Sequence, residues 1–169
     1  MTSDQLSFFD RNDRERSLFE QGTPAAKPAN FSLTKTINAP IQKVYDQWLI
    51  PVFIGKWMFG PNVQREKVIM LENNVRKGGD FKFLINRKGQ DVEVTGEIKV
   101  LDIPRRLELS WQESTYADEE CLVIVQFDSL EGKTKLKLNV KLPAELSPYK
   151  NSIKKLWAAR LAALAKELK

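Results

Sequence analysis

Between residues 63 and 142 the chain repeats one pattern six times, a short apolar, β-branched stretch followed by a turn. The turns fall at Arg76-Lys77-Gly78-Gly79-Asp80, Lys88-Gly89-Gln90, Ile103-Pro104-Arg105, Tyr116-Ala117-Asp118 and Glu131-Gly132-Lys133. Connections this short join antiparallel neighbours, because a parallel crossover needs a dozen residues or more. The spacing therefore predicts a meander with strands at 63–72, 80–87, 91–102, 105–113, 120–129 and 133–142. Alternation gives it one dry and one wet face: Val92, Val94, Ile98 and Val100 oppose Glu93, Thr95, Glu97 and Lys99. Leu136, Leu138, Val140 and Leu142 oppose Lys135, Lys137 and Lys141 in the same way.

The flanks supply what the dry face needs. Phe31, Leu33 and Ile37, among Thr34 and Thr36, predict one more strand, and Asn38-Ala39-Pro40 ends it. Ile41, Val44, Tyr45, Trp48 and Leu49 then recur at helical spacing, and after Pro51 a second short helix carries Ile54, Trp57 and Met58 up to Gly60-Pro61. At the other end Pro143 closes the sheet. Ser147-Pro148 opens a helix of about 20 residues, some 30 Å long, with Ile153, Trp157, Leu161, Leu164 and Leu168 on one side. Seven strands, two short helices and one long amphipathic helix make an α+β domain in which the antiparallel sheet curves around the long C-terminal helix. Residues 1–30 form a separate N-terminal extension, in which Leu6, Phe8, Phe9, Leu18 and Phe19 are scattered among charges and two prolines, Pro24 and Pro28, close the stretch. It reads as a flexible tail ahead of a domain at 31–169.

Composition removes several chemistries. The chain has no histidine and one cysteine, so it can build neither a zinc site of the usual kind nor a Ser-His-Asp or Cys-His nucleophile. Cys121 stands beside Leu122, Val123, Ile124 and Val125, the setting of a small buried hydrophobe. Lacking a signal peptide's apolar run and any stretch of about 20 apolar residues, the chain is expected to be cytoplasmic, without a membrane span. Net charge is +5, and residues 148–169 carry all of it: Lys150, Lys154, Lys155, Arg160, Lys166 and Lys169 against Glu167. The remainder is balanced, which argues against a nucleic-acid surface and leaves one basic helix face, centred on Lys154 and Lys155, as a docking candidate.

The order of elements and several landmarks resemble the START-like superfamily with its helix-grip fold, and within it the SRPBCC group related to activator of heat-shock protein 90 ATPase homologues. The landmarks are Ile37-Asn38-Ala39-Pro40 with Val44-Tyr45 and Trp48, then Trp57, then Lys77-Gly78-Gly79-Asp80-Phe81. Gly96, Asp102, Pro104, Leu107 and Trp111 follow, then Gly132-Lys133-Thr134-Lys135-Leu136, and last Trp157, Leu161 and Leu164. The resemblance covers about residues 31–169.

What it implies is a cavity between sheet and long helix for a small hydrophobic molecule, lined by Trp48, Trp57, Phe81, Phe83, Trp111, Trp157 and Leu161. That is the leading expectation; the alternative it implies is a co-chaperone role toward a heat-shock protein 90 chaperone, through Lys154 and Lys155. Complete activators pair this domain with a separate N-terminal domain, where this sequence has 30 residues ahead of the fold, so the resemblance speaks against a complete activator and leaves a partial one open. A cyclase-like enzyme is the third implication. It would need a polar group set inside the cavity, for which Tyr45, Asp46, Arg87, Glu97 and Glu113 are the candidates. No metal or other cofactor is expected, and binding is expected over catalysis.

Overall fold

The computed structural model describes residues 27–59, 63, 66–116 and 119–169. The tail reading of residues 1–26 lies outside them, as does the turn at Ala117-Asp118. Strand β1 (Ala29–Ile37) leads into helices α1 (Ile41–Asp46) and α2 (Pro51–Trp57). Six strands follow: β2 (Glu66–Asn73), β3 (Asp80–Arg87), β4 (Gln90–Asp102), β5 (Arg106–Glu113), β6 (Cys121–Leu130) and β7 (Lys133–Leu142). A 3-10 stretch, Ala144–Tyr149, then opens onto α3 (Lys150–Glu167).

All seven strands form one antiparallel sheet in the order β1-β7-β6-β5-β4-β3-β2. Six are the meander that the turn spacing predicts. β1 closes the other edge by pairing with β7 from Ala29↔Leu142 to Ile37↔Thr134. Its start corrects the expected boundary: Ala29 and Asn30, placed in the extension by the preceding prolines, already belong to the ladder. Proline fixes only its own φ and biases its neighbour toward extended backbone, so Pro28 is a fit entry to an edge strand.

The dry face of the sheet meets α1, α2 and α3 in a single core that runs from Phe31 to Leu168. Thr134 is fully buried and donates its hydroxyl to the Ala39 carbonyl (2.8 Å), which pins the turn after β1 to the start of β7. In α3 the buried set is Ile153, Leu156, Trp157, Arg160, Leu161 and Leu164. Ser147, expected to cap this helix, instead donates to the Ala144 carbonyl (3.0 Å) within the 3-10 stretch, and α3 begins at Lys150 without a side-chain cap.

Strand β4 departs from strict alternation. A bulge lies between Ile98 and Val100, so Val100 stands opposite Glu108 while Leu101 takes the place opposite the buried Leu107. Val100, expected on the dry face, is moved off it, because one extra residue in a period-two pattern flips every side chain beyond it.

Candidate functional site

The gap between sheet and α3 is filled by aromatic rings. Trp48, in the turn just past α1, stacks on Trp157 of α3 (6.2 Å between centroids, 12° between planes) and meets Trp57 of α2 edge-on at 4.8 Å. Across the helix Trp157 meets Trp111 of β5 at 5.0 Å, and Trp111 touches Phe81 of β3 at 5.5 Å. Phe81 in turn stacks on Phe83 at 5.0 Å, and Leu161 is buried in the same core. The structure therefore brings all seven expected lining residues together, each no more than 4% exposed, and packs them against one another. Among the described residues a small, partly open cavity lined by Trp111, Glu113, Tyr116, Glu119, Cys121, Leu146, Ile153 and Trp157 measures about 10 Å³, room for one water molecule at most.

Charges share this interior. Arg160, expected on the solvent face of α3 with the lysines, is 0% exposed. Its guanidinium lies over the Trp157, Phe59 and Trp111 rings at 4.6, 5.1 and 5.4 Å and donates from both terminal nitrogens to Glu113 Oε2 (3.3 Å). Arg160 Nε donates to the Met58 carbonyl (3.3 Å), tying α3 to the chain just past α2. Glu113 also accepts from Trp111 Nε1 (3.0 Å) and from Arg87 (3.0 Å), and Arg87 bridges on to the buried Glu66 through its Nε (2.7 Å). Two carboxylates and two guanidiniums thus form a neutral buried chain from β2 through β3 and β5 to α3. Ring faces wall its Arg160 end.

Burial by itself would raise the Glu113 pKa. The Arg160 and Arg87 guanidiniums, helped by the bonds from Trp111 and Arg87, outweigh it and hold the carboxyl below its ordinary 4.5. A depressed pKa contributes stability that is complete above the unfolded value and is lost as pH falls through the folded one. The urea midpoint should accordingly stay level from about pH 7 to pH 5 and drop below about pH 4.5, and Glu113→Gln should flatten that acid limb. An acid limb equally steep in the variant would assign it to other carboxylates.

The remaining polar candidates are dispersed. Tyr45, fully buried, donates its hydroxyl to the Arg106 carbonyl (2.9 Å), and its pKa is raised by burial and by Asp102. Asp46 accepts from Gln42 at the surface (2.8 Å), and Glu97 pairs with Lys99 on the wet face (3.2 Å). Of that set Tyr45, Arg87 and Glu113 enter the interior, Tyr45 bonded to a backbone carbonyl and the other two committed to ion pairs. Burial lifts the Cys121 thiol to about 12, with Glu113 adding to the shift, and its sulfur hydrogen-bonds the Trp111 carbonyl (3.3 Å). Labelling of the native protein by a thiol reagent should thus be at least about 100-fold slower than in urea, since only the thiolate reacts. Equal rates would show Cys121 to be open.

Sequence reasoning missed Arg160, Glu66 and Phe59. For Arg160 a signal existed. It stands three residues after Trp157, seven after Ile153 and four before Leu164, on the dry stripe of its helix. Lys154 and Lys155 are exposed as expected.

An antiparallel sheet folded around one long terminal helix, its interior shared by tryptophans and a buried ion-pair chain, is the helix-grip arrangement. Residues 38–169 match the family described as activator of Hsp90 ATPase homolog 1-like protein, and the chain belongs to that family. Solved structures agree on the fold. A protein from Chromobacterium violaceum superposes with a TM-score of 0.72 at 20% identity, covering 82% of this chain and 96% of its own. One from Rhodobacter sphaeroides gives 0.70 at 18%, covering 85% and 92%. The AHSA1-like protein from Aeromonas hydrophila gives 0.67 at 21%, covering 82% and 90%. None of the curated proteins compared matches the sequence. Among the described residues, no helix is long and apolar enough to cross a membrane.

Proposed function

We propose that the chain works as a protein-interaction domain of the activator type, docking on a chaperone of the heat-shock protein 90 class through the outer face of α3. The observation that supports this reading is the packing of the described residues between sheet and helix, where the rings and the Arg160 guanidinium occupy space that a carried molecule would need. Lys154 and Lys155 are both exposed on that helix, Lys155 on the side turned away from Trp157 and Lys154 at the border of the buried stripe, so a partner can reach them without entering the core. Their neighbours Ala158 and Ala162 are small and exposed, which allows close approach along the helix.

Binding to an immobilised chaperone of that class should weaken by at least about 5-fold in Lys154→Glu/Lys155→Glu, and likewise on raising salt from about 50 to 300 mM, because exposed charges are screened. Affinity unchanged in the doubly reversed variant would remove this face from the reading.

A second reading, a small apolar ligand between sheet and helix, rests on the void beside Trp111 and Trp157, which is walled by Tyr116, Leu146 and Ile153. Occupation beyond the size of a water molecule requires those side chains to move apart. Native mass spectrometry against the denatured mass decides it: a stoichiometric small adduct supports the ligand, and a bare protein supports the interaction domain.

A further inference from the structure

The face of the sheet turned away from the helices is divided electrostatically. On β3 and β4 each outward lysine has a carboxylate: Lys82 pairs with Glu93 and Lys99 with Glu97, both at 3.2 Å. That is how a face kept merely soluble is built. On β7 the outward positions read Lys133, Lys135, Lys137 and Lys141, all exposed, and among the described residues no ion pair involves any of them. The one acidic side chain in register beside them is Asp128, opposite Lys135. Same-face residues two apart in a strand lie about 7 Å from each other, and like charges so placed repel. Folding gains nothing from this row, since the dry side of β7 is complete with Thr134, Leu136, Leu138, Val140 and Leu142.

On the edge side the row is bordered by short side chains. Asn30, Ser32, Thr34 and Thr36 of β1 stand in register with Lys141, Asn139, Lys137 and Lys135, all four exposed. Beyond β1 the sheet has no further strand among the described residues. The result is a shallow step about one strand wide, floored by hydroxyls, walled by lysines and open at its backbone edge.

We propose that this step binds an extended acidic segment of a partner protein, with Asp or Glu at every second position. The period is the argument. An extended segment presents same-face side chains at the same spacing of about 7 Å as the lysines, and its backbone can add to the β1 edge. Its carboxylates then reach over Asn30, Thr34 and Thr36 to Lys141, Lys137 and Lys135. Single-stranded nucleic acid fits less well, because the outward positions of β1, β7 and β6 carry no aromatic ring on which a base could stack. A lipid surface would exploit the charge but not the register.

The test uses the full chain and three probes, read by fluorescence anisotropy at about 50 mM salt: a labelled peptide of alternating Glu and Ser, the same residues rearranged into one Glu block and one Ser block, and oligo(dT). Vesicles containing phosphatidylserine are assayed in parallel by co-sedimentation. The alternating peptide should bind best, at least about 5-fold tighter than the block peptide. It should lose at least about 10-fold in Lys135→Glu/Lys137→Glu, and less in Lys135→Gln/Lys137→Gln. Lys154→Glu/Lys155→Glu should leave it unchanged, which separates this surface from the α3 face. No binding, equal binding of the block peptide, tighter binding of oligo(dT) or vesicles, or indifference to the Lys135/Lys137 reversal would each overturn the proposal.

Discussion

Replacing Arg160 by Met should cost about 3–5 kcal/mol of unfolding free energy in urea titrations, several times the effect of a lysine change on the same helix. The reason lies less in the lost attraction than in what stays behind. Glu113 would keep its buried charge with Arg87 as its sole cationic partner, and the Met58 carbonyl would lose its donor. Adding Glu113→Gln to Arg160→Met should therefore cost less than the two single changes summed, with a coupling of at least about 1 kcal/mol. A loss below about 1 kcal/mol for Arg160→Met alone would mean that the ion-pair chain is dispensable, as some buried pairs replaced by apolar groups have proved to be.

An effect of similar size is expected at Gly96. A Cβ built there would lie 2.0 Å from the Ser110 carbonyl oxygen and 2.3 Å from Cζ of Phe81. The ring of Phe81, paired in register with Gly96 across β3 and β4, covers the position where a side chain would stand. One of the two obstacles is backbone of the neighbouring strand, so relief requires parting β4 from β5 or expelling the ring toward Trp111. Gly96→Ala should lower stability by about 3 kcal/mol or more, beyond the usual cost of overpacking. Near-UV circular dichroism should weaken as the Phe81, Phe83 and Trp111 contacts loosen. A variant as stable as the parent would show that the sheet yields there.

Much of this architecture was legible because it rests on local periodicity. Turn chemistry at Gly89 and Gly132 marked the hairpins, and alternation in β7 separated Leu136, Leu138 and Val140 from the lysines without ambiguity. Two things escaped for definable reasons. The β4 bulge inserts one residue without any glycine or proline to announce it, so Val100 and Leu101 exchanged roles. The buried ion-pair chain depends on four residues scattered between positions 66 and 160, each ordinary on a surface, and a charged residue on an apolar stripe is judged by type before position. The aromatic residues share one core. Whether they leave a space or close it is a matter of ring orientation, which spacing along the chain does not encode.

The aromatic interior has an optical consequence. The chain has four tryptophans, and Trp48, Trp57, Trp111 and Trp157 are all buried in one connected cluster, with Trp157 under a guanidinium. Tryptophan emission therefore comes wholly from the space between sheet and helix, with none from the surface. A partner that settles on the lysines of α3 or β7 should leave the spectrum where it is, whereas a molecule that enters between Trp111 and Trp157 must shift or quench it. The protein thus carries its own reporter of which side of the fold is in use.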